Sequence, residues 1–120
     1  MKLILVEGLP GTGKTTLAER LCAFALSSGR RAVWHREEER THPVHPASLT
    51  TSREQPGFAS RCLQHWRAFT ERAQSVHGLC ILEGSAFQST VRFLMEQERE
   101  DAHGYVVEFE RAVRAVSPVL

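Results

Sequence analysis

Gly8, Gly13, Lys14 and Thr15 stand at the fixed positions of G-x-x-x-x-G-K-[ST], here Gly8-Leu9-Pro10-Gly11-Thr12-Gly13-Lys14-Thr15-Thr16. Each residue type has a chemical reason for its place. Glycines let the backbone take positive φ and curl its N–H groups around a phosphate chain. The ammonium of Lys14 is expected on the β- and γ-phosphates, and the Thr15 hydroxyl on Mg²⁺. A helix starting at this point directs the positive end of its dipole at the same anion. The whole stretch, Gly8 to Thr16, is therefore the expected nucleotide site.

Phosphoryl transfer also needs a carboxylate near the metal, and often a second to take the acceptor's proton. Asp101 is the only aspartate and lies in a polar run, so these roles fall to glutamates. Leu79-Cys80-Ile81-Leu82-Glu83-Gly84 reads as a buried strand with a charge at its carboxyl end, which makes Glu83 the expected metal-shell acid. Glu37, Glu38 and Glu39 end a second strand, and one of Glu37 or Glu38 is the expected group acting on substrate, as base or ligand. Ser85 and Gln88 lie just past Glu83 and are weaker candidates for ligand contact.

The elements that would position these groups follow from local pattern. Lys2–Glu7 is a short apolar run leading into the glycine loop, and residues 16–26 have helical spacing with Gly29 as a stop. Ala32–Arg36 is the second strand. Residues 40–57 carry Pro43, Pro46 and Pro56 without periodicity, which predicts an exposed, proline-stiffened loop that could cover an acceptor pocket. His42 and His45 lack a Cys or acidic partner at zinc spacing. Phe58, Cys62, Trp66, Phe69, Ala73 and Val76 mark one face of a long helix, with Arg61, Arg67 and Arg72 on other faces as remote candidates for an acceptor phosphate. Phe87, Val91, Leu94 and Met95 predict a helix capped by Ser89 or Ser85, which Gly104 separates from another with Val106, Phe109, Val113 and Val116 inward.

Composition narrows the function classes. Fifteen Lys+Arg against fourteen Asp+Glu gives no basic footprint for nucleic acid, and no apolar run approaches membrane-spanning length. Three scattered cysteines without metal spacing suit reduced thiols in a cytoplasmic protein. Lysine occurs only at Lys2 and Lys14 while arginine occurs thirteen times, so the lysine of the glycine loop stands against the chain's own preference.

Val6-Glu7-Gly8 running into the loop resembles the opening of thymidylate and deoxynucleoside kinases, within the P-loop NTPases. Arg36-Glu37 resembles the Arg-Glu-Pro of the former, with Glu38 in place of proline, and Leu82-Glu83 stands where that family ends a strand in Asp-Arg or Glu-Arg, with Gly84 replacing the arginine. The chain is also similar to uncharacterised bacterial P-loop proteins that join such a loop to an acidic strand end and His-Pro, here His42-Pro43. The resemblance implies ATP and Mg²⁺, with Gly8, Gly11, Gly13, Lys14, Thr15 and Thr16 on nucleotide and metal. It also implies Glu83 in the metal shell and Glu37 as an acceptor-side base.

The expected fold is a single domain over residues 1–120, a three-layer α/β/α sandwich on a parallel sheet. The strand from Lys2 is expected at its centre, and the resemblance to those kinases implies that the Leu79 strand lies between the first and second. Pro118-Val119-Leu120 reads as the start of a further core strand. Set against those kinases, the chain is expected to be either a truncated copy or the N-terminal half of a longer protein, without the later strands and the arginine-bearing lid. The leading functional expectation is an ATP-dependent phosphotransferase acting on a small hydroxyl- or phosphate-bearing molecule. The alternatives are a nucleotide-binding module or switch without turnover, or an AAA-type ATPase. The last is suggested by Leu9 to Thr15 but lacks an Asp-Glu pair at a strand end.

Overall fold

A computed structural model describes residues 1–49, 54–97 and 101–120. Three parallel strands, β1 (Lys2–Val6), β2 (Ala32–His35) and β3 (Leu79–Glu83), form a sheet in the order β1-β3-β2. β3 lies between the other two as expected, so the centre of the three-stranded sheet belongs to β3 and not to the strand from Lys2. β1 gains a neighbour on its other edge. Val119 bridges Ile4 in parallel, with Leu5 N–H donating to the Val119 carbonyl (2.8 Å) and Val119 N–H to Leu3 (2.9 Å). The last residues thus pair like a strand, as their apolar character predicts.

The pleat sends alternate side chains to opposite faces. Leu3, Leu5, Cys80 and Leu82 join the core beneath α2 (Phe58–Gln74) and α4 (Ala102–Val113). Val6 and Ile81 face the other way, onto Ala18 of α1 (Lys14–Ser27). Helices therefore cover both faces, and the larger core lies on the α2/α4 side. Its centre is Trp66, fully buried and edge-on to Phe109 with ring centroids 4.8 Å apart.

Several local readings change in three dimensions. The α2 stripe from Phe58 to Ala73 is buried, but the helix ends at Gln74 and Val76 is exposed. Past β3 the chain forms a π-helical turn (Phe87–Val91) that continues into α3 (Arg92–Gln97), with Leu94 buried and Met95 exposed. Neither Ser85 nor Ser89 caps it by side chain. Gly104 lies inside α4 and does not separate helices, because Tyr105, Phe109 and Val113 bury a continuous face across it. Among the described residues no helix is long and apolar enough to cross a membrane.

The proline-rich segment departs furthest from expectation. His42, Val44, His45 and Pro46 are buried, not exposed. Its prolines and short turns fold it inward: the Val44 and His45 N–H groups donate to His42 Nδ1 (3.3 and 3.0 Å), and Ala47 N–H donates to His45 Nδ1 (3.2 Å). The imidazoles satisfy main-chain donors that β-structure would otherwise pair. Thr50, Thr51, Ser52 and Arg53, the middle of the predicted loop, lie outside the described residues.

Candidate functional site

The glycine loop joins the carboxyl end of β1 to the start of α1. Gly8, Gly11 and Gly13 have φ of 149°, 79° and 88°, values that side-chain-bearing residues adopt at a cost. Thr12 closes the turn through its hydroxyl, which donates to the Leu9 carbonyl (2.7 Å). Leu9 to Gly13 are exposed, and Gly13 supplies the N-cap of α1 with no side chain bonded across it. The first-turn N–H groups are therefore not capped by any side chain, an arrangement suited to an anion.

Two hydrogen-bonded sets grow from the first residues of α1. Lys14 Nζ pairs with Glu37 Oε2 at 2.8 Å and also donates to Gln88 Oε1. The lysine side chain is only 9% exposed, so its charge is matched by the carboxylate and the amide oxygen and little by water. Beside it, Thr15 Oγ1 donates to Glu83 Oε1 (2.6 Å), while Trp34 Nε1 donates to Glu83 Oε2 (2.9 Å). Glu83 is 1% exposed, and each carboxylate oxygen has a donor. Thr16 is exposed on the same first turn.

Sheet order explains the meeting. Val6 and Glu83 are register partners at the carboxyl ends of β1 and β3, and His35 of β2 is beside Leu82. The parallel arrangement brings the loop after β1, the acid ending β3 and the acids following β2 to one edge, the usual ligand crevice of an open α/β sheet. Lys14, Thr15, Glu37 and Glu83 are thereby brought together from three separate stretches of chain.

Two clefts flank this group. One, of about 420 Å³, is lined by Thr15, Glu83 and Arg36 to Glu39. The other, of about 580 Å³, is lined by Glu37, Glu38, Arg40, His45, Gln88 and Arg92 among others. Glu37 and Glu38 belong to both. The segment after β2 does border a cleft, as the sequence suggests, but Arg61, Arg67 and Arg72 border neither. Arg67 instead pairs with Glu108 at 3.2 Å.

Glu7, Trp34 and Gly84 carry more of the site than their sequence context signals. Glu7 accepts hydrogen bonds from the N–H groups of Ala86 (2.8 Å) and Gln88 (3.2 Å), so a carboxylate from β1's end caps the π-helical turn. Burial raises its carboxyl above the usual range, and those main-chain donors pull it back. Gly84 has φ of 58°, and a Cβ there would stand 2.5 Å from Glu37 Cδ. Glycine therefore leaves the space through which Glu37 reaches the lysine. Only glycine's tolerance of positive φ hints at this from sequence, and the partner is invisible there.

The buried His42 gives the site an acid limit. Burial, then the neighbouring His45 and His35, push its imidazole down to about 3, while the Glu83 main chain and Glu39 pull weakly the other way. The unfolded chain takes up a proton near pH 6.5 that the folded chain refuses, so stability falls as pH drops through that value and continues to fall toward pH 3. Denaturant melts should show a loss of about 2 kcal/mol between pH 7 and pH 5. His42→Asn, which keeps an acceptor for the Val44 and His45 N–H groups, should remove most of that slope. An unchanged slope would assign it elsewhere.

Among the described residues no three His, Cys, Asp or Glu side chains gather as metal ligands. One hydroxyl beside one carboxylate is nevertheless a donor set suited to Mg²⁺, which commonly completes its octahedron with phosphate oxygens and water. The cysteines are free, and burial pushes the Cys80 thiol up to about 12. Compared with protein-family models, curated proteins and solved structures, the chain has no match.

Proposed function

We propose that this chain is a P-loop nucleotide-binding domain that takes ATP with Mg²⁺ and transfers its γ-phosphoryl group to a small hydroxyl- or phosphate-bearing acceptor. The observation that carries the reading is the convergence of Lys14, Thr15, Glu83 and Glu37 at one sheet edge, between two clefts that share Glu37. The fit to both ligands rests on these contacts. Lys14 is already held by a carboxylate and an amide oxygen, the partners an oxyanion would replace. Thr15 and Glu83 supply hard oxygen donors 2.6 Å apart.

In this reading the loop amides and Lys14 bind the β- and γ-phosphates and stabilise the charge that develops on the transferring group. Thr15 and Glu83 would hold Mg²⁺, which when bound neutralises phosphate charge and orients the chain of phosphates. Trp34 keeps the Glu83 carboxylate in one orientation. Glu37 accepts the proton of the acceptor hydroxyl. As the acceptor oxygen bonds to the γ-phosphorus, the bond from that phosphorus to the β–γ bridging oxygen breaks, and its electron pair leaves with ADP.

The test is ADP formation by the purified chain with ATP·Mg²⁺ across a panel of nucleosides, nucleotides, sugars and amino alcohols. Acceptor-dependent ADP and a matching phosphorylated product are expected. Slow hydrolysis indifferent to every acceptor would replace this reading with that of a nucleotide-binding module lacking transfer.

A further inference from the structure

Glu37 has two addresses. Its carboxylate pairs with Lys14 at 2.8 Å, yet the residue also borders the 580 Å³ cleft lined by Arg40, His45 and Arg92. The pairing needs Gly84, whose missing side chain is the space that the Glu37 carboxylate fills. With Gln88 as the second acceptor, the buried lysine is coordinated by oxygens without any ligand. A phosphate group approaching Lys14 competes for the same ammonium, and two anions crowded on one lysine repel each other.

We infer that Glu37 is the anion that Lys14 holds while the loop carries no phosphate, and that filling the loop hands this carboxylate to the neighbouring cleft. The inference rests on the proposed function and adds its order of events. While Glu37 Oε2 accepts from the Lys14 ammonium at 2.8 Å, that oxygen is occupied and is not open to an acceptor hydroxyl. Released, the carboxylate is free to accept from an acceptor hydroxyl in the cleft that Glu37 borders. Nucleotide therefore loads first, and the acceptor is activated only beside a filled loop. The same contact shields the lysine and weakens nucleotide binding, since the ion pair must open before phosphate takes its place.

Titration calorimetry with ATP·Mg²⁺ on the intact chain and its variants tests this directly. Glu37→Gln and Glu37→Ala are each expected to bind roughly three- to tenfold more tightly than the parent, a range set by a partly exposed ion pair. Acceptor-dependent ADP formation by the same variants should fall about 100-fold or more. Glu38→Gln removes the same charge from the same two clefts, and among the described residues Glu38 makes no ion pair with Lys14. It separates displacement from general repulsion: tightening confined to the Glu37 variants supports the inference, and equal tightening by Glu38→Gln overturns it. A parent that binds while both Glu37 variants bind no better also overturns it and leaves the proposed function standing. Failure of parent and variants alike, with thermal melts confirming that they are folded, removes the proposed function and the inference with it.

Discussion

Lys14→Ala should weaken ATP·Mg²⁺ binding by roughly two to three orders of magnitude while leaving the domain folded. The size of the effect follows from the lysine's position. Its side chain is nearly enclosed, so phosphate charge there meets an ammonium little screened by water. The fold should tolerate the change for a separate reason. Glu37 is 27% exposed by side chain and can return to solvent, while Gln88 can hydrogen-bond to water in the adjoining cleft. The stability loss should stay within about 1 kcal/mol, because the variant removes the enclosed charge itself and the carboxylate left behind can reach water. Calorimetric titration of parent and variant, each checked by circular dichroism and thermal melting, measures both quantities. A folded variant that binds like the parent would remove the glycine loop from the site altogether.

How far this site could be read from sequence depends on the range of the interactions involved. The turn of the glycine loop is legible because its geometry is local: three positive-φ glycines stand within six residues, just ahead of Lys14 and Thr15. The acid of β3 is legible because four apolar residues ending in a charge mark a buried strand, and strand ends are where parallel sheets gather ligand groups. Placing β3 between β1 and β2 required the likeness to a known topology as well.

Long-range packing hid the rest. Nothing near Glu7 indicates that it caps a turn some eighty residues later. The His-Pro segment is polar and aperiodic, so it reads as solvent-facing, whereas His42 is buried because its own ring nitrogen satisfies the backbone turning around it. Gly104 looks like a helix stop by propensity, worth about 1 kcal/mol against alanine, but the buried face of α4 outweighs it. Gly84 is the instructive case. As a departure from the kinase pattern it reads as the loss of an arginine; in three dimensions it is the gap that admits Glu37.

Glu83→Gln should lower Mg²⁺-dependent turnover about 100-fold or more, and the direction of the amide explains why so small a change has such an effect. Both oxygens of Glu83 now accept hydrogen bonds, one from Trp34 and one from Thr15. The indole N–H can only donate, so it selects the amide oxygen of a glutamine. The amide nitrogen must then face Thr15, whose hydroxyl can turn to accept. This places N–H donors where the proposed metal shell needs oxygen. Trp34→Phe combined with Glu83→Gln frees the amide to flip, and the double variant should recover activity relative to Glu83→Gln alone. Such a reversal is a coupling that two independent losses would not produce. Turnover and Mg²⁺ titrations across the four chains measure it. If the losses simply add, Trp34 does not set the orientation of Glu83. If Glu83→Gln keeps full Mg²⁺-dependent turnover, the metal-shell acid must be sought among the carboxylates that follow β2.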